Sequence, residues 1–391
     1  MKRTPSASTA LHFVLVIGVV NLFADMTYEG ARSSTGQFLG TLGAGAAVVG
    51  FTAGLGELVG YGLRSVSGVI SDKTGKYWIV TIVGYCINML AVPALALAGQ
   101  WPVAAGLIVA ERTGRAIRKP ATAAMLSFAG KQIGQGWVFG LNEALDQTGA
   151  TLGPLIISFT LFRHGNYRNG FALLLVPALL AITMVLVARG FFPNPRDLEV
   201  SEAIQKEKLP TTFWFYLAGN ACIGAGFADF ALIAYHFQNT ASVATNLIPI
   251  YYAVAMAAGA LGGIIFGKLF DKLGLAVVLV VFFLSAFFAP LVFLGSGWIA
   301  LIGMILWGIG MSAQGSLLTS VIAGVIHASK RSTAFGVFDT GFGVAWFLGS
   351  WLMGVLYQKS IPALIVFSVL LQLVALPVFI FAKRNEGGST R

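Results

Sequence analysis

"GVISDKTGK" (residues 68–76) and "GKLFDKLG" (residues 267–274) share the pattern G-x-x-x-D-K-x-G. Each segment lies between two long apolar runs, at an equivalent place in its half of the chain. A second similarity joins "FGLNEALDQTGATLG" (139–153) to "FGVFDTGFGVAWFLG" (335–349), which align without gaps and pair Gly153 with Gly349. These paired segments predict that the two halves of the chain are copies of one another.

The composition is that of a membrane protein. Hydrophobic residues make up 57% of the 391 residues, and charged residues only 10%. A chain with so little charge is expected to be an all-α polytopic membrane protein. Apolar stretches long enough to cross a bilayer predict twelve spans, at 11–36, 44–69, 77–98, 102–125, 134–160, 168–189, 212–237, 244–268, 275–295, 297–325, 333–357 and 361–382.

The distribution of positive charge predicts the orientation. The net charge is +10, but the Lys and Arg residues fall in short loops between apolar runs, so a nucleic-acid partner is not expected. With the amino terminus inside, the outer loops contain only Arg163, Arg168 and Lys359. The positive-inside rule therefore predicts that both termini are cytoplasmic and that the first span is not cleaved. The polar segment 190–210 is the predicted cytoplasmic linker between the halves 1–189 and 211–391.

These features together resemble the major facilitator superfamily over nearly the whole chain. The residues that carry the resemblance are Gly68, Asp72, Lys73, Gly75 and Lys76 in the first repeated loop, Gly267, Asp271, Lys272 and Gly274 in the second, and "GATLGP" (149–154) in span 5. The resemblance implies two six-helix bundles related by a pseudo-twofold axis, which work by alternating access. It also implies that the repeated loops, with Asp339 as a partner, close an inner gate.

Gly149, Gly153 and Pro154 match the family's G-x-x-x-G-P motif, which is often associated with exporters that exchange substrate for protons. The glycines allow close helix approach, and the proline allows a bend. Span 4 departs from the drug-exporter pattern because "ERTGRAIRKP" (111–120) keeps Arg112 but adds further cations. The resemblance therefore assigns the chain to the superfamily and leaves its membership of the multidrug branch open.

Span 1 contains the stretch "NLFADMTYEGARS" (21–33), with three ionisable groups at membrane depth. At about 100° per residue, Asp25, Glu29 and Arg32 lie within roughly 60° of one another on the helix. Such residues are expensive in a bilayer, so we expect them to face an interior cavity and to pair. A carboxylate whose cationic partner changes can take up and release a proton, which makes these three residues the candidate proton-coupling group. The alternative is a static ion pair between helices.

Other polar residues within the spans are candidates for the substrate cavity: Tyr28, Glu57, Arg112, Glu143, Asp146 and Asp229. The guanidinium of Arg112 can clasp a carboxylate or phosphate. Alternatively, Arg112 forms a structural or gating pair with Glu143 or Asp146 of span 5, or with the Asp72 loop. Arg118 and Lys119 are expected near the inner surface as topology anchors.

The sequence thus favours a proton-coupled secondary transporter, specifically an exporter of a small organic or amphiphilic solute, located in the plasma membrane. A flippase for an anionic lipid-like amphiphile and an uncoupled facilitator are the alternatives. No enzyme is expected, because no nucleotide-binding loop, nucleophile elbow or metal-ligand cluster is recognisable. The expected partners are the lipid bilayer, a small-molecule substrate and protons, with no cofactor or metal and with a monomeric protein.

Overall fold

The computed structural model describes residues 7–133, 135–194, 210–325 and 331–386. Within these residues the chain forms sixteen α-helices and two short 3₁₀ turns, and it contains no β-strand. The predicted linker 190–210 lies largely outside the described residues.

The first half of the chain contains eight helices. They are α1 (Ala7–Arg32), α2 (Thr35–Thr41), α3 (Ala46–Thr74), α4 (Tyr77–Ala94), α5 (Trp101–Ile133), α6 (Gln135–His164), α7 (Tyr167–Leu173) and α8 (Leu175–Phe191).

The second half also contains eight helices. They are α9 (Thr211–Gly226), α10 (Phe230–Thr240), α11 (Ile248–Leu273), α12 (Leu275–Ser285), α13 (Phe288–Phe293), α14 (Gly297–Val325), α15 (Arg331–Lys359) and α16 (Ile361–Glu386).

Ten of the described helical stretches are long and apolar enough to cross a membrane. Helices α5 and α6 are not among them, because both carry several charged or polar side chains. Many large apolar side chains remain exposed on the helices, including Phe162, Leu261 and Trp298. Exposure of this kind suits a surface that faces lipid.

The chain divides into two compact units. The first unit comprises Met1–Thr35 and Gly62–Ala203. In this unit α1 packs against α6, α8 and α5, and α4 packs along α5.

The second unit comprises Gly36–Tyr61 and Ile204–Arg391. Here α9 packs against α16 and α15, and α11 packs against α14. The unit includes α2 and the first part of α3, which the sequence groups with the other helices of the first half. Glycines allow this packing, since a Cβ on Gly54 would lie 2.9 Å from the backbone oxygen of Phe347 in α15.

Equivalent glycines make equivalent contacts inside each unit. A Cβ on Gly153 of α6 would overlap the carbonyl oxygen of Met26 in α1. In the second unit, a Cβ on Gly349 of α15 would overlap the carbonyl oxygen of Ala225 in α9. The sequence alignment pairs these two glycines, so the repeat extends to the way the helices pack.

The predicted span 7 is broken at residues 227–229, between α9 and α10. The carboxylate of Asp229 caps α10 by accepting a hydrogen bond of 3.0 Å from the backbone N–H of Ala231. Side chains satisfy the carbonyl groups that the break releases: Trp307 Nε1 donates to Ala228 at 2.9 Å, and Ser368 Oγ donates to Gly226 at 2.6 Å. A helix break at membrane depth is tolerated only where such partners exist.

Candidate functional site

Polar and charged side chains from four helices of the first unit meet in one group, which we call the charged cluster. Its members are Asn21, Asp25, Tyr28, Glu29 and Arg32 of α1, Tyr85 and Asn88 of α4, Glu111, Arg112, Arg115 and Arg118 of α5, and Asn142 and Asp146 of α6.

Helical spacing aligns these residues on facing surfaces. Asn21, Asp25 and Arg32 follow one another at intervals of four and seven along α1, so they form a single stripe. Glu111 and Arg118 are seven apart on α5 and therefore share a face. Glycine brings this face close to α4, because a Cβ on Gly84 would lie 2.7 Å from the backbone nitrogen of Arg118.

Arg118 is the centre of the cluster. Its Nη2 lies 3.9 Å from Asp25 Oδ1. Its Nε donates to Asn88 Oδ1 at 3.1 Å, and its Nη1 donates to the Tyr85 hydroxyl at 3.1 Å. The residue is only 5% exposed. The expectation that Arg118 is a surface anchor is therefore wrong, although its neighbour Lys119 is exposed.

The cluster continues from Asn88 toward the start of α5. Asn88 Nδ2 donates to Glu111 Oε1 at 2.7 Å. The other carboxylate oxygen of Glu111 lies 3.4 Å from Arg112 Nε. Arg112 thus has a carboxylate partner on its own helix, whereas the sequence suggests Glu143, Asp146 or the Asp72 loop as its structural partner.

In the other direction the cluster reaches α6. Tyr85 donates its hydroxyl hydrogen to Asn21 Oδ1. Asn21 Nδ2 in turn donates to Asn142 Oδ1 at 2.7 Å, and Asn142 Nδ2 donates to Asp146 Oδ2 at 3.2 Å. Hydrogen bonds therefore connect Glu111 to Asp146 across α5, α4, α1 and α6.

Three further contacts belong to the cluster. Arg32 Nη1 lies 4.0 Å from Glu29 Oε1, one helical turn away. The guanidinium carbon of Arg115 lies 4.2 Å from the ring centre of Tyr28, and that of Arg118 lies 5.8 Å from the same ring. Tyr28, predicted as a cavity residue, is thus the aromatic neighbour of two arginines.

The remaining predicted cavity residues lie elsewhere. Glu143 is exposed on α6 and accepts a 2.8 Å hydrogen bond from Gln147 Nε2. Glu57 is buried, on the part of α3 that belongs to the second unit. Asp229 caps α10, as described above. Asp339, the predicted gate partner, is partly exposed on α15.

The glycines of the predicted exporter motif lie at the contact between α1 and α6. A Cβ on Gly149 would overlap the carbonyl oxygen of Leu22 and would lie 3.0 Å from the Cβ of Asp25. Gly153 makes the equivalent contact one turn later, and Pro154 follows it inside α6. The motif therefore allows the backbone of α6 to approach α1 beside Asp25.

The repeated loops have matching backbones. Gly75 and Gly274 both have positive φ, 67° and 58° respectively, which glycine adopts without strain. Gly68 lies within α3 and Gly267 within α11. The side chains of Asp72 and Asp271 lie outside the described part of the chain. Lysines of the two loops are exposed: Lys73, Lys76 and Lys272.

The comparison with protein families matches this fold. Residues 14–350 match the family model described as Major Facilitator Superfamily. The chain belongs to this superfamily. The resemblance inferred from the repeated loops and the all-α fold class are both confirmed. Members of the superfamily are transporters, and the chain is accordingly a multi-pass membrane transporter.

Individual relatives cover nearly the whole chain. An uncharacterized protein of Mycobacterium tuberculosis is 38% identical over 389 residues, which is 97% of this chain and 95% of that protein. An uncharacterized MFS-type transporter of Methanocaldococcus jannaschii is 23% identical over 360 residues, which is 89% of each chain.

Solved structures share the fold at low identity. The nucleoside transporter NupG superposes with a TM-score of 0.73 at 12% identity, covering 94% of this chain and 99% of its own. A bacterial homolog of the human lysosomal transporter Spinster, in an inward-facing and occupied conformation, superposes with a TM-score of 0.71 at 16% identity, covering 96% of each chain.

Proposed function

We propose that the protein is a proton-coupled secondary transporter that exports a small organic or amphiphilic solute, and that Asp25 is the group that exchanges the proton. The observation that carries the proposal is the 3.9 Å contact between Asp25 and Arg118 inside the charged cluster. A nearly buried carboxylate is stable as an anion only with such a partner. Movement of Arg118 away from Asp25 would therefore favour uptake of a proton, and its return would favour release.

The neighbours of Arg118 suit such an exchange. Asn88 and Tyr85 bind its guanidinium with neutral oxygen atoms, so the arginine keeps hydrogen bonds while Asp25 changes its charge. Asn21 and Asn142 link this point to a second carboxylate, Asp146. Glu29 with Arg32 forms a separate pair one turn farther along α1 and is the alternative exchange site.

The direction of transport is inferred from the position of the exporter motif. Gly149 packs beside Asp25, so the motif and the proposed proton group share one helix contact. The position of Asp25 therefore depends on the G-x-x-x-G-P motif. This motif is typical of exporters that exchange substrate for protons.

The wider organisation follows the sequence expectations. We place the protein in the plasma membrane as a monomer with both termini in the cytoplasm. We propose that the segments 1–189 and 211–391 are the two six-helix bundles and that 190–210 is the cytoplasmic linker, with residues Gly36–Tyr61 of the first segment packing in the second compact unit. Alternating access between the bundles exposes the solute site to one side at a time.

Proton flux in liposomes tests the proposal. A panel of small organic solutes is first screened for thermal stabilisation of the purified protein. Each solute that stabilises it is then added to proteoliposomes that contain a pH-sensitive dye. Solute movement by the wild type should change the internal pH, and a pH gradient should drive uphill transport. Asp25→Asn should abolish both effects while retaining solute exchange between equal pools.

Glu143→Gln is the matched control, because Glu143 is an exposed carboxylate on α6 that contacts Gln147 outside the charged cluster. This variant should retain proton coupling. Solute flux without any proton movement in the wild type would instead indicate an uncoupled facilitator. Movement of a fluorescent anionic lipid between leaflets, with no solute flux, would indicate a flippase. Full proton-driven transport by Asp25→Asn would overturn the assignment of Asp25.

A further inference from the structure

Arg115 differs from the other arginines of the charged cluster. Each of the others has a carboxylate within 4.0 Å: Arg32 has Glu29, Arg112 has Glu111, and Arg118 has Asp25. Among the described residues, no carboxylate lies within 4.0 Å of Arg115, and none of them accepts a hydrogen bond from its guanidinium. The carboxylates of Glu29, Asp25 and Glu111 act on its positive charge from beyond 4.0 Å, and none of them forms a close ion pair with it.

The contact of Arg115 is aromatic instead. Its guanidinium lies over the ring of Tyr28, with 4.2 Å between the guanidinium carbon and the ring centre. Tyr28 is only 4% exposed, so the ring is a fixed platform. Stacking on an aromatic face leaves the N–H groups at the edge of the guanidinium plane free to donate. Arg115 is itself partly exposed, so a ligand can reach these donors.

We propose that Arg115, supported by Tyr28, binds an anionic oxygen group of the transported molecule, either a carboxylate or a phosphate. A guanidinium matches both groups through two parallel charge-assisted hydrogen bonds. The carboxylates of Glu29, Asp25 and Glu111 stabilise the cation from a distance, whereas an anionic ligand would add the direct contact that Arg115 lacks among the described residues. A cationic ligand would be repelled by the guanidinium. The inference rests on the proposed transport function and narrows its substrate to molecules with such a group.

The proposal moves the predicted anion contact from Arg112 to Arg115. Arg112 already has Glu111 at 3.4 Å, so an anion would have to compete with that carboxylate. The carboxylates that act on Arg115, those of Glu29, Asp25 and Glu111, lie beyond 4.0 Å, so an anion meets weaker competition there. If Arg115 only packs on Tyr28, its replacement should not change the preference of the protein for anions over neutral molecules of the same shape. Binding experiments therefore distinguish a packing role of Arg115 from anion binding.

The test is calorimetric titration of the full-length purified protein in detergent at one fixed pH. The probes are three matched pairs of an anionic and a neutral or zwitterionic molecule. They are benzoate and benzamide, glycerol 3-phosphate and glycerol, and detergent micelles that contain either phosphatidic acid or phosphatidylcholine. The wild type should bind at least one anionic probe and bind its neutral or zwitterionic counterpart at least about tenfold more weakly. Binding of benzoate or glycerol 3-phosphate indicates a soluble anion, whereas binding of phosphatidic acid alone indicates a lipid headgroup.

Variants then locate the binding site. Arg115→Gln should weaken binding of the anion roughly tenfold or more, and Arg115→Lys should retain part of it because the charge remains. Tyr28→Leu should also weaken binding, because the aromatic ring that supports the guanidinium of Arg115 is lost. Arg163→Gln is the matched control, because Arg163 also lies near an aromatic ring, at 5.8 Å from Phe159, but is exposed outside the cluster. It should bind as the wild type does.

Unchanged binding of the anion by Arg115→Gln, with a melting temperature like that of the wild type, would overturn the proposal. So would a wild type that binds none of the anionic probes. If Arg115→Gln does not fold, the affinity of Arg115→Lys for the anionic probe is compared with that of Arg112→Lys. Equal affinities of these two variants would contradict the proposal that Arg115 is the anion-binding arginine. No pH gradient or flux enters the measurement, so failure of proton coupling and failure of anion binding are observed separately.

Discussion

Asp25 of α1 and Arg118 of α5 form an ion pair with 3.9 Å between Oδ1 and Nη2, and both side chains are almost fully buried. Arg118 is held at the same time by Asn88 and Tyr85 of α4. The pair therefore ties three helices of the first unit together through one guanidinium. Its energetics and its response to mutation follow from this arrangement.

Removal of the guanidinium should destabilise the protein strongly. Arg118→Met leaves Asp25 without its cation and the Asn88 side-chain oxygen without this donor. Loss of one partner of a buried pair costs roughly 3–5 kcal/mol, so the melting temperature in detergent should fall clearly. Arg163→Met, at an exposed arginine, should leave it unchanged. The double variant Arg118→Met with Asp25→Asn should be more stable than Arg118→Met alone. A double variant in which the two losses simply add would contradict a direct pairing.

A methyl group at Gly149 should separate α1 from α6. In Gly149→Ala the new Cβ would overlap the carbonyl oxygen of Leu22 and press on Asp25, so one helix must move. We expect lower thermal stability and impaired transport. Gly106→Ala is the control, because Gly106 lies in α5 with open space where a Cβ would be. Its higher helix propensity should make that variant slightly more stable, by up to about 1 kcal/mol. Equal thermal stability and equal transport in the two variants would show that the close contact between α1 and α6 is not needed for function.

Labelling of single cysteines should reveal the orientation of the chain. Cys86 and Cys222 are first replaced by alanine. Ser201→Cys, in the predicted cytoplasmic linker, should react with an impermeant maleimide only after the cells are opened. Arg163→Cys, in a predicted outer loop, should react in intact cells. The opposite pattern would reverse the proposed topology, and reaction of both positions from one side would contradict the predicted span 168–189 between them.

The repeated loops should control access from the cytoplasm. Because Asp72 is predicted to lock the inner gate, Asp72→Asn should shift the population toward the inward-open state. Spin labels at Arg189→Cys and Lys383→Cys, both exposed near the ends of their helices, can report the separation of the halves. Their distance distribution should move to longer values in Asp72→Asn and much less in Asp72→Glu, which keeps the charge. An unchanged distribution in Asp72→Asn would argue against a gate at this residue.

The sequence predicts the fold well because the fold depends on simple regularities. Long apolar stretches predict membrane helices, and the duplicated loops predict two related halves. The break at residues 227–229 was not predicted, because hydropathy does not register where a helix is interrupted. It depends on tertiary partners such as Trp307 and Ser368, which bind the released carbonyl groups.

The candidate site could be predicted only in part. The stripe of Asp25, Glu29 and Arg32 follows from helical spacing within one span. The partner of Asp25 does not, because the face that α5 turns toward α1 is set by close contacts such as that at Gly84. A weak signal was present: Tyr85 and Asn88 are polar, three residues apart and surrounded by apolar residues in span 3. Buried polar side chains need partners, and Arg118 is the partner of both.

The tight contact of Gly149 and Gly153 with α1 also restricts the routes by which molecules can reach Asp25. Lipid-soluble compounds often enter membrane proteins sideways, through gaps between helices that face the bilayer. At this seam the backbones of α1 and α6 touch at Leu22 and Met26, which leaves no opening wide enough for an acyl chain. A hydrophobic inhibitor dissolved in the membrane would therefore have to approach Asp25 by another path than the one between these two helices.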